Sequence, residues 1–457
     1  MRVVVCVRQG LDGELGPFDA AAYESALRIE GAEVILLSMG PPSAKDFLLN
    51  LTRLGAKEAI LLSDPAFAGA DTLATAYTLS LEIKRLSPDL VLVGRQTLVG
   101  DTGQTGAMLS VFSSLSLVTG VMSIAFPTDG RVSCETREEG TVSVPLPALL
   151  TVERINILRL PRLRSRPTSV SVLDAAALEA DIARCGLKGS PTRVKRSFEN
   201  EAGKRKCRMI TMDELDDAVR FGLARTEERV SASQRSAERL PRVIAVGESV
   251  REMAESVSDD VTVIPPSDEE EISRLIDRTR PSAVLFGCDA YAKRISARLA
   301  AMRGWGLCAD CTALGCEEGR LLMHRPALAG SVLATVVSLT EPALATLRTE
   351  AADTREVTVA AGYGVRDRMD EVRALADRYS ADLAATRKMV DHGYLPYSMQ
   401  VGLTGRTVSP SVYIALGISG AVHHIVGMQR AGTVIAVNPD RDAPIFEYAD
   451  FGIVGQF

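Results

Sequence analysis

Three side chains near the C-terminus, Arg387, Thr404 and His424, stand out in a stretch that reads as a cradle for a nucleotide cofactor. They lie in a stretch, residues 384–438, where glycine and other small residues separate short apolar runs. Such a composition lets a backbone approach a ligand closely. Arg387 is a fixed cation in otherwise small and apolar surroundings. Thr404 sits between glycines, and His424 lies one turn into a helix opened by Gly417-Ile-Ser-Gly420. That turn follows a strand-like run, Val412–Leu416. Its N–H groups and the helix dipole favour a phosphate there, although a plain strand-to-helix turn looks the same. By residue type alone, the three also read as a surface ion pair, a turn hydroxyl and a core imidazole. The sequence has no Ser/His/Asp constellation, paired-carboxylate site or HExxH motif, which favours a cofactor protein over a hydrolase.

Other motifs carry less. Gly362-Tyr-Gly364 follows a strand, but Asp367 stands where a dinucleotide fingerprint has its third glycine. Gly100-Asp-Thr-Gly-Gln-Thr-Gly106 is rich in glycine and hydroxyls at a strand end and favours a phosphate or ribose contact. The eight cysteines are scattered, as suits reduced thiols. Cys308, Cys311 and Cys316 lack a second pair to close a zinc site and read as structural; with four histidines in the chain, no metal centre is expected.

The elements that must position these groups alternate. Val3–Val7, Ala32–Ser38, Glu58–Ser63 and Leu90–Gly94 read as buried strands, with helices over Ala20–Ile29, Ser43–Leu54 and Asp71–Leu86 between them and Asp71 as an N-cap. A further helix starts near Gln104, and a hairpin follows over Arg131–Thr136 and Thr141–Leu146. This pattern predicts an α/β fold with a parallel sheet covered on both faces. It then recurs. Pro88-Asp-Leu-Val-Leu-Val-Gly94 matches Pro281-Ser-Ala-Val-Leu-Phe-Gly287, and Pro147-Ala-Leu-Leu-Thr-Val152 matches Pro342-Ala-Leu-Ala-Thr-Leu347. We therefore expect three parallel-sheet, nucleotide-binding-like domains, the first two a pseudo-symmetric pair. They cover 1–192, 241–350 and 355–457, with 193–240 as a solvated linker carrying an amphipathic helix over Ile210–Arg225. Net charge of −6 argues against nucleic acid as the main partner. No apolar run approaches the roughly 20 residues that span a bilayer, and MRVVVCVRQG starts as a strand without a signal-peptide core, so a cytoplasmic location is expected.

With these residues in view, the chain resembles an electron transfer flavoprotein whose beta and alpha subunits are fused, beta first. The beta-like blocks include VVVCVRQG, LLSMGPP, AILLSDPAFAGADTLATAYTL, VLVGRQTLVGDTGQTG and GLKGSPTRV. The alpha-like blocks include ADCTAL, RPALAGSVLATVV, the whole of ATRKMVDHGYLPYSMQVGLTGRTVSPSVYIALGISGAVHHIVGM, and APIFEYADFGIVG. The resemblance implies FAD in the C-terminal domain. Arg387 would lie over the isoalloxazine, Thr404 near N5 and His424 at the N1/C2 edge. Ser419 and Gly420 would hold the pyrophosphate, with Gln400 and Gly402 beside the cofactor and Asn438 near the adenine; Gly405, Gly417 and Asp450 fall in the same motifs. In the beta-like half, Asp101, Gln104, Thr105 and Gly106 would hold AMP, or a second FAD as in electron-bifurcating members.

The chain departs from the family pattern at Leu403 (usually glutamine), Thr386 (usually serine), His423 (usually glutamine) and Gln456 (often acidic). The resemblance implies an electron carrier serving an acyl-CoA dehydrogenase-like or other flavin dehydrogenase. The alternative is a bifurcating flavoprotein that oxidises NADH, and a third, distinct class is an ATP- or AMP-binding protein without flavin.

Overall fold

The computed structural model describes residues 1–10, 13–97, 102–126, 129–137, 139–199, 204–226, 236–327, 332–348, 356–402, 405–406 and 408–457. The chain divides into two compact units. The first comprises Met1–Ser197, Arg235–Leu328 and Ala334–Arg348; the second, Phe198–Gln234, Ala329–Leu333 and Thr349–Phe457.

The first unit contains both repeats, each with its own sheet. In the nine-stranded sheet, parallel strands run in the spatial order Ser116–Ala125, Ala148–Val152, Leu90–Gly94, Arg2–Cys6, Glu33–Met39, Glu58–Leu62 and Val170–Leu173. A hairpin, Arg131–Thr136 and Gly140–Pro145, extends one side antiparallel. The second sheet has the order Leu307–Cys311, Ala343–Leu347, Ala283–Phe286, Val243–Val246 and Val261–Ile264. Its five strands reproduce the order of the first five parallel strands above, so the repeat in sequence is a repeat in topology. Strands such as Ala148–Val152 and Ala283–Phe286 are buried along their whole length, which is why they read as continuous apolar runs rather than alternating ones. The repeats share a unit because one core draws on both: Leu79, Ile83 and Leu109 belong to the same cluster as Ile295, Leu299 and Trp305.

Local signals account for several boundaries. Asp71 caps the helix Thr72–Leu86 by accepting from the Ala74 N–H at 3.1 Å. The other oxygen of Asp71 accepts from the Thr192 N–H and hydroxyl, at 3.1 and 2.7 Å. Arg159 anchors an irregular stretch on the buried Glu24 carboxylate. Burial opposes ionisation of Glu24, yet hydrogen bonds from Arg159 and Arg28 hold it at about 2.

The segment 193–240 differs from the solvated linker expected of it. Thr192–Glu199 joins a four-stranded sheet, and Arg208–Met209 pairs in parallel with Phe451–Gly452. Thr211 and Glu214 form a capping box before the helix Leu215–Thr226. Leu215, Ala218 and Val219 from that helix enter the core of the second unit. Among the described residues, no helix is long and apolar enough to cross a membrane.

Candidate functional site

The second unit carries a six-stranded parallel sheet in the order Arg208–Met209, Phe451–Val454, Thr433–Asn438, Val412–Leu416, Val357–Ala361, Asp382–Ala385. From Val357–Ala361 the chain steps to one neighbour, then crosses to the other side. The carboxyl ends of Val357–Ala361 and Val412–Leu416 therefore diverge at a topological switch point, the place where open parallel sheets bind ligands. A cavity of about 500 Å³ lies there. The loops that leave these two strands nearly touch: a Cβ on Gly362 would stand 2.1 Å from the Gly417 carbonyl oxygen, and Gly417 holds φ +60°. Only glycine satisfies both demands.

The cavity brings together most of the residues singled out from sequence: Arg387, Gln400, Gly402, Gly417, Ser419, His424 and Asn438 line it. Arg387 opens the short helix Arg387–Asp391, partly exposed and 3.4 Å from Asp391. Lys388 beside it lies 4.0 Å from the centre of the Tyr363 ring, so the site has two cations and an aromatic face. Neither Lys388 nor Tyr363 was singled out from sequence; the signal available was a Lys adjoining Arg387 and a tyrosine inside the Gly362-Tyr-Gly364 turn. Thr386 Oγ1 is buried at the cavity with no partner among the described residues. Such a hydroxyl suits a bound polar group, since leaving it unpaired costs on the order of 1–3 kcal/mol. Asn438 pins the loop: its amide nitrogen donates to the Ile418 carbonyl at 2.8 Å, and its oxygen accepts from the Asp440 N–H.

Three other sequence candidates lie elsewhere. Gly405 and Gly420 pack against backbone, at Gln400 and Ile445, where a Cβ would meet main-chain atoms at 2.2 Å. Asp450 is outside the cavity: it accepts from the Val434 N–H and pairs with Arg205. Thr404 and Leu403 lie outside the described residues.

His424 lines the cavity but is otherwise placed than expected. Its Nδ1 lies 3.2 Å from the Val401 carbonyl and its Nε2 2.9 Å from the Tyr413 hydroxyl. A carbonyl can only accept, so Nδ1 carries the proton and Nε2 accepts from Tyr413. Burial pushes the imidazole down to about 4, against the opposing Val401 hydrogen bond. It is therefore neutral at pH 7, and both nitrogens are engaged by the protein.

A second cavity, of about 600 Å³, lies in the first unit at the switch point between Arg2–Cys6 and Leu90–Gly94. Arg8, Arg95, Arg193 and Arg325 line it, together with Asp19, Thr72 and Thr105. Asp19 accepts from the Arg8 N–H, and burial nevertheless raises its carboxyl to about 7. Of the sequence candidates, Thr105 faces this cavity. Gln104 is fully buried, with neither amide atom partnered among the described residues, and does not line the cavity. Gly106 packs into the core instead, where a Cβ would meet Thr151 at 2.6 Å. Asp101 lies outside the described residues.

Comparison with known proteins adds the following. An electron transfer flavoprotein domain matches residues 3–178 and 265–368, and an electron transfer flavoprotein FAD-binding domain matches residues 352–429. The N-terminal half is similar to protein FixA of Azorhizobium caulinodans, 40% identical over 232 residues, covering 46% of this chain and 82% of the relative. It is similar also to the electron transfer flavoprotein subunit beta of Clostridium acetobutylicum, 39% identical over 207 residues (43% of this chain, 79% of the relative). The C-terminal half is similar to the electron transfer flavoprotein subunit alpha of Mycobacterium leprae, 39% identical over 244 residues (44% of this chain, 76% of the relative).

Proposed function

The chain belongs to the electron transfer flavoprotein family, with beta-like and alpha-like halves joined in one polypeptide, and from that premise we propose that it relays electrons from a flavin dehydrogenase, of the acyl-CoA dehydrogenase type, to a downstream acceptor. The observation that carries this reading is the cavity of about 500 Å³ lined by Arg387, Lys388, Tyr363 and Thr386, within or beside the region matched by the FAD-binding domain. FAD supplies the redox chemistry, taking up and releasing electrons one or two at a time. The chain's own residues hold and tune it. Gly362 and Gly417 let two loops meet at the cavity that would hold it. Arg387 and Lys388, which line that cavity, would offset the negative charge that reduction adds. The Thr386 hydroxyl offers a donor. His424 contributes a neutral, fixed wall and not a third cation.

Arg387→Ala is expected to lower the flavin potential. Removing a partly exposed cation beside the ring is worth about 1–2 kcal/mol, or ~40–90 mV for a one-electron couple. Spectroelectrochemical titration of the variant measures it, and an unchanged potential removes Arg387 from the ring's surroundings. Purified protein without colour that takes up no FAD would sink the flavin reading altogether.

A second reading concerns the first unit. Its cavity, at about 600 Å³, is no smaller than the one assigned to FAD. AMP has less than half the atoms of FAD, so this size favours a second dinucleotide and the bifurcating, NADH-oxidising alternative. Counting cofactors per chain decides. Two FAD with NADH-driven reduction are the expected outcome for bifurcation; one FAD and one AMP restore the simple carrier.

A further inference from the structure

Cys308 and Cys311 share the strand Leu307–Cys311. Three positions apart, they should point to opposite faces of a regular strand. They do not, because the strand is bulged: Cys308 pairs with Ala345 and Cys311 with Leu347, three residues against two. The bulge turns at Asp310, which holds φ +53°. It is fixed by the Asp310 N–H donating to Thr346 Oγ1 at 2.8 Å, and by the buried Asp310 carboxylate, 2.9 Å from Lys293 and 3.5 Å from Arg348. Both cysteines consequently enter one apolar cluster with Ala345 and Leu347. The Cys311 thiol donates to the Cys308 carbonyl oxygen at 3.6 Å, which holds its sulfur against the Cys308 residue.

The two thiols are not equivalent. Cys308 lines the 600 Å³ cavity together with Arg325, whereas Cys311 is 0% exposed behind it. The neighbouring Cys311 thiol and the charge of Arg325 hold the Cys308 thiol below its ordinary value, and burial pushes Cys311 well above. That is the division of labour between an attacking and a resolving cysteine.

We propose that Cys308 and Cys311 are a peroxide-responsive dithiol that closes to an intrachain disulfide at the wall of the first unit's cavity. The Cys308 thiolate attacks one oxygen of hydrogen peroxide. The S–O bond forms, the O–O bond breaks, and the departing hydroxide takes a proton to become water. Cys311 sulfur then displaces the hydroxyl from the Cys308 sulfenic acid. The S–S bond forms, the S–O bond breaks, and a second water leaves with the Cys311 proton. Two thiols give up two electrons and two protons, and one peroxide becomes two waters. Peroxide is close to water in size, so reaching Cys308 at the cavity wall needs no more room beside a bound nucleotide than a single water does. The proposal stands apart from the flavin reading, since none of its steps uses a flavin.

The test is oxidation of reduced, cofactor-loaded protein by hydrogen peroxide, followed by alkylation and non-reducing peptide mapping. The expected product is one peptide holding Cys308 and Cys311, lighter by two hydrogens and restored by dithiothreitol. It should form at least about tenfold faster than oxidation of the six remaining cysteines. Cys311→Ser should leave Cys308 as a sulfenic acid trapped by dimedone, and Cys308→Ser should leave Cys311 unoxidised. A wild-type map in which both thiols survive while other cysteines oxidise overturns the proposal, as does Cys311 oxidation at an undiminished rate in Cys308→Ser. The wild-type map needs neither variant to fold.

Discussion

Gly362→Ala is expected to cost the second unit about 3 kcal/mol or more and to strip the protein of its flavin. The added methyl would stand 2.1 Å from the Gly417 carbonyl oxygen, 2.5 Å from its carbon and 2.7 Å from the Ile418 nitrogen. All three are backbone atoms, so no side-chain rotation relieves the clash. The loop that leaves Val412–Leu416 must move, and Gly417, Ile418 and Ser419 on that loop line the cavity. Gly16→Ala is the matched control. Gly16 sits at φ −59° before the helix Pro17–Leu27, and nothing lies within 4 Å of its missing Cβ. At an N-cap this exchange costs only about 0.5 kcal/mol. Urea unfolding followed by circular dichroism, with flavin content measured on the same samples, separates the two. A Gly362→Ala protein as stable as Gly16→Ala, with full flavin, would show that the two loops do not meet as described.

The parts of this fold that the sequence disclosed are those set by local pattern. Continuous apolar runs marked the central strands, Asp71 announced its helix, and the paired Pro-to-Gly runs announced two sheets of one topology. Several residues that line the second unit's cavity had been singled out through the family's motifs, because Arg387, Gln400 and Ser419 lie in loops close to one another in the chain. What stayed hidden depends on partners far away in sequence. Asp450 stands in a recognisable motif, yet Arg205, some 245 residues distant, claims its carboxylate. The linker 193–240 looked solvated because its mixed charges outnumber the few apolar residues, such as Leu215, Ala218 and Val219 of its amphipathic helix, that the second unit buries. Cys308 and Cys311 read as structural because no second pair closes a zinc site, and only the register against Ala345 and Leu347 reveals the bulge.

His424 gives the second large effect, and it appears as acid sensitivity. The folded protein holds this imidazole at about 4, against 6.5 for the free side chain. Above pH 6.5 both the folded and unfolded forms are neutral, and the interaction is fully present. As pH falls, the unfolded chain takes up a proton first. Stability is therefore lost between pH 6.5 and about 4, and below that no more is lost through this group. The span corresponds to about 3 kcal/mol. His424→Gln removes the titration, because glutamine binds no proton. The stability difference between wild type and variant should then shrink by about that amount from pH 7 to pH 4. The comparison isolates His424 from Glu24 and Asp310, whose carboxylates are held at about 2 and are common to both proteins. A difference that stays flat across this range would mean that the imidazole is already solvated or charged. In that case Nε2 would be free to face a ligand, the role that the family's pattern suggested, and Tyr413 would not be its partner. A difference that shrinks as expected fixes His424 as a neutral acceptor of the Tyr413 hydroxyl. The positive charge that tunes the cofactor then comes from Arg387 and Lys388, on the opposite strand crossover, and the pH dependence of the flavin potential near neutrality would owe nothing to His424.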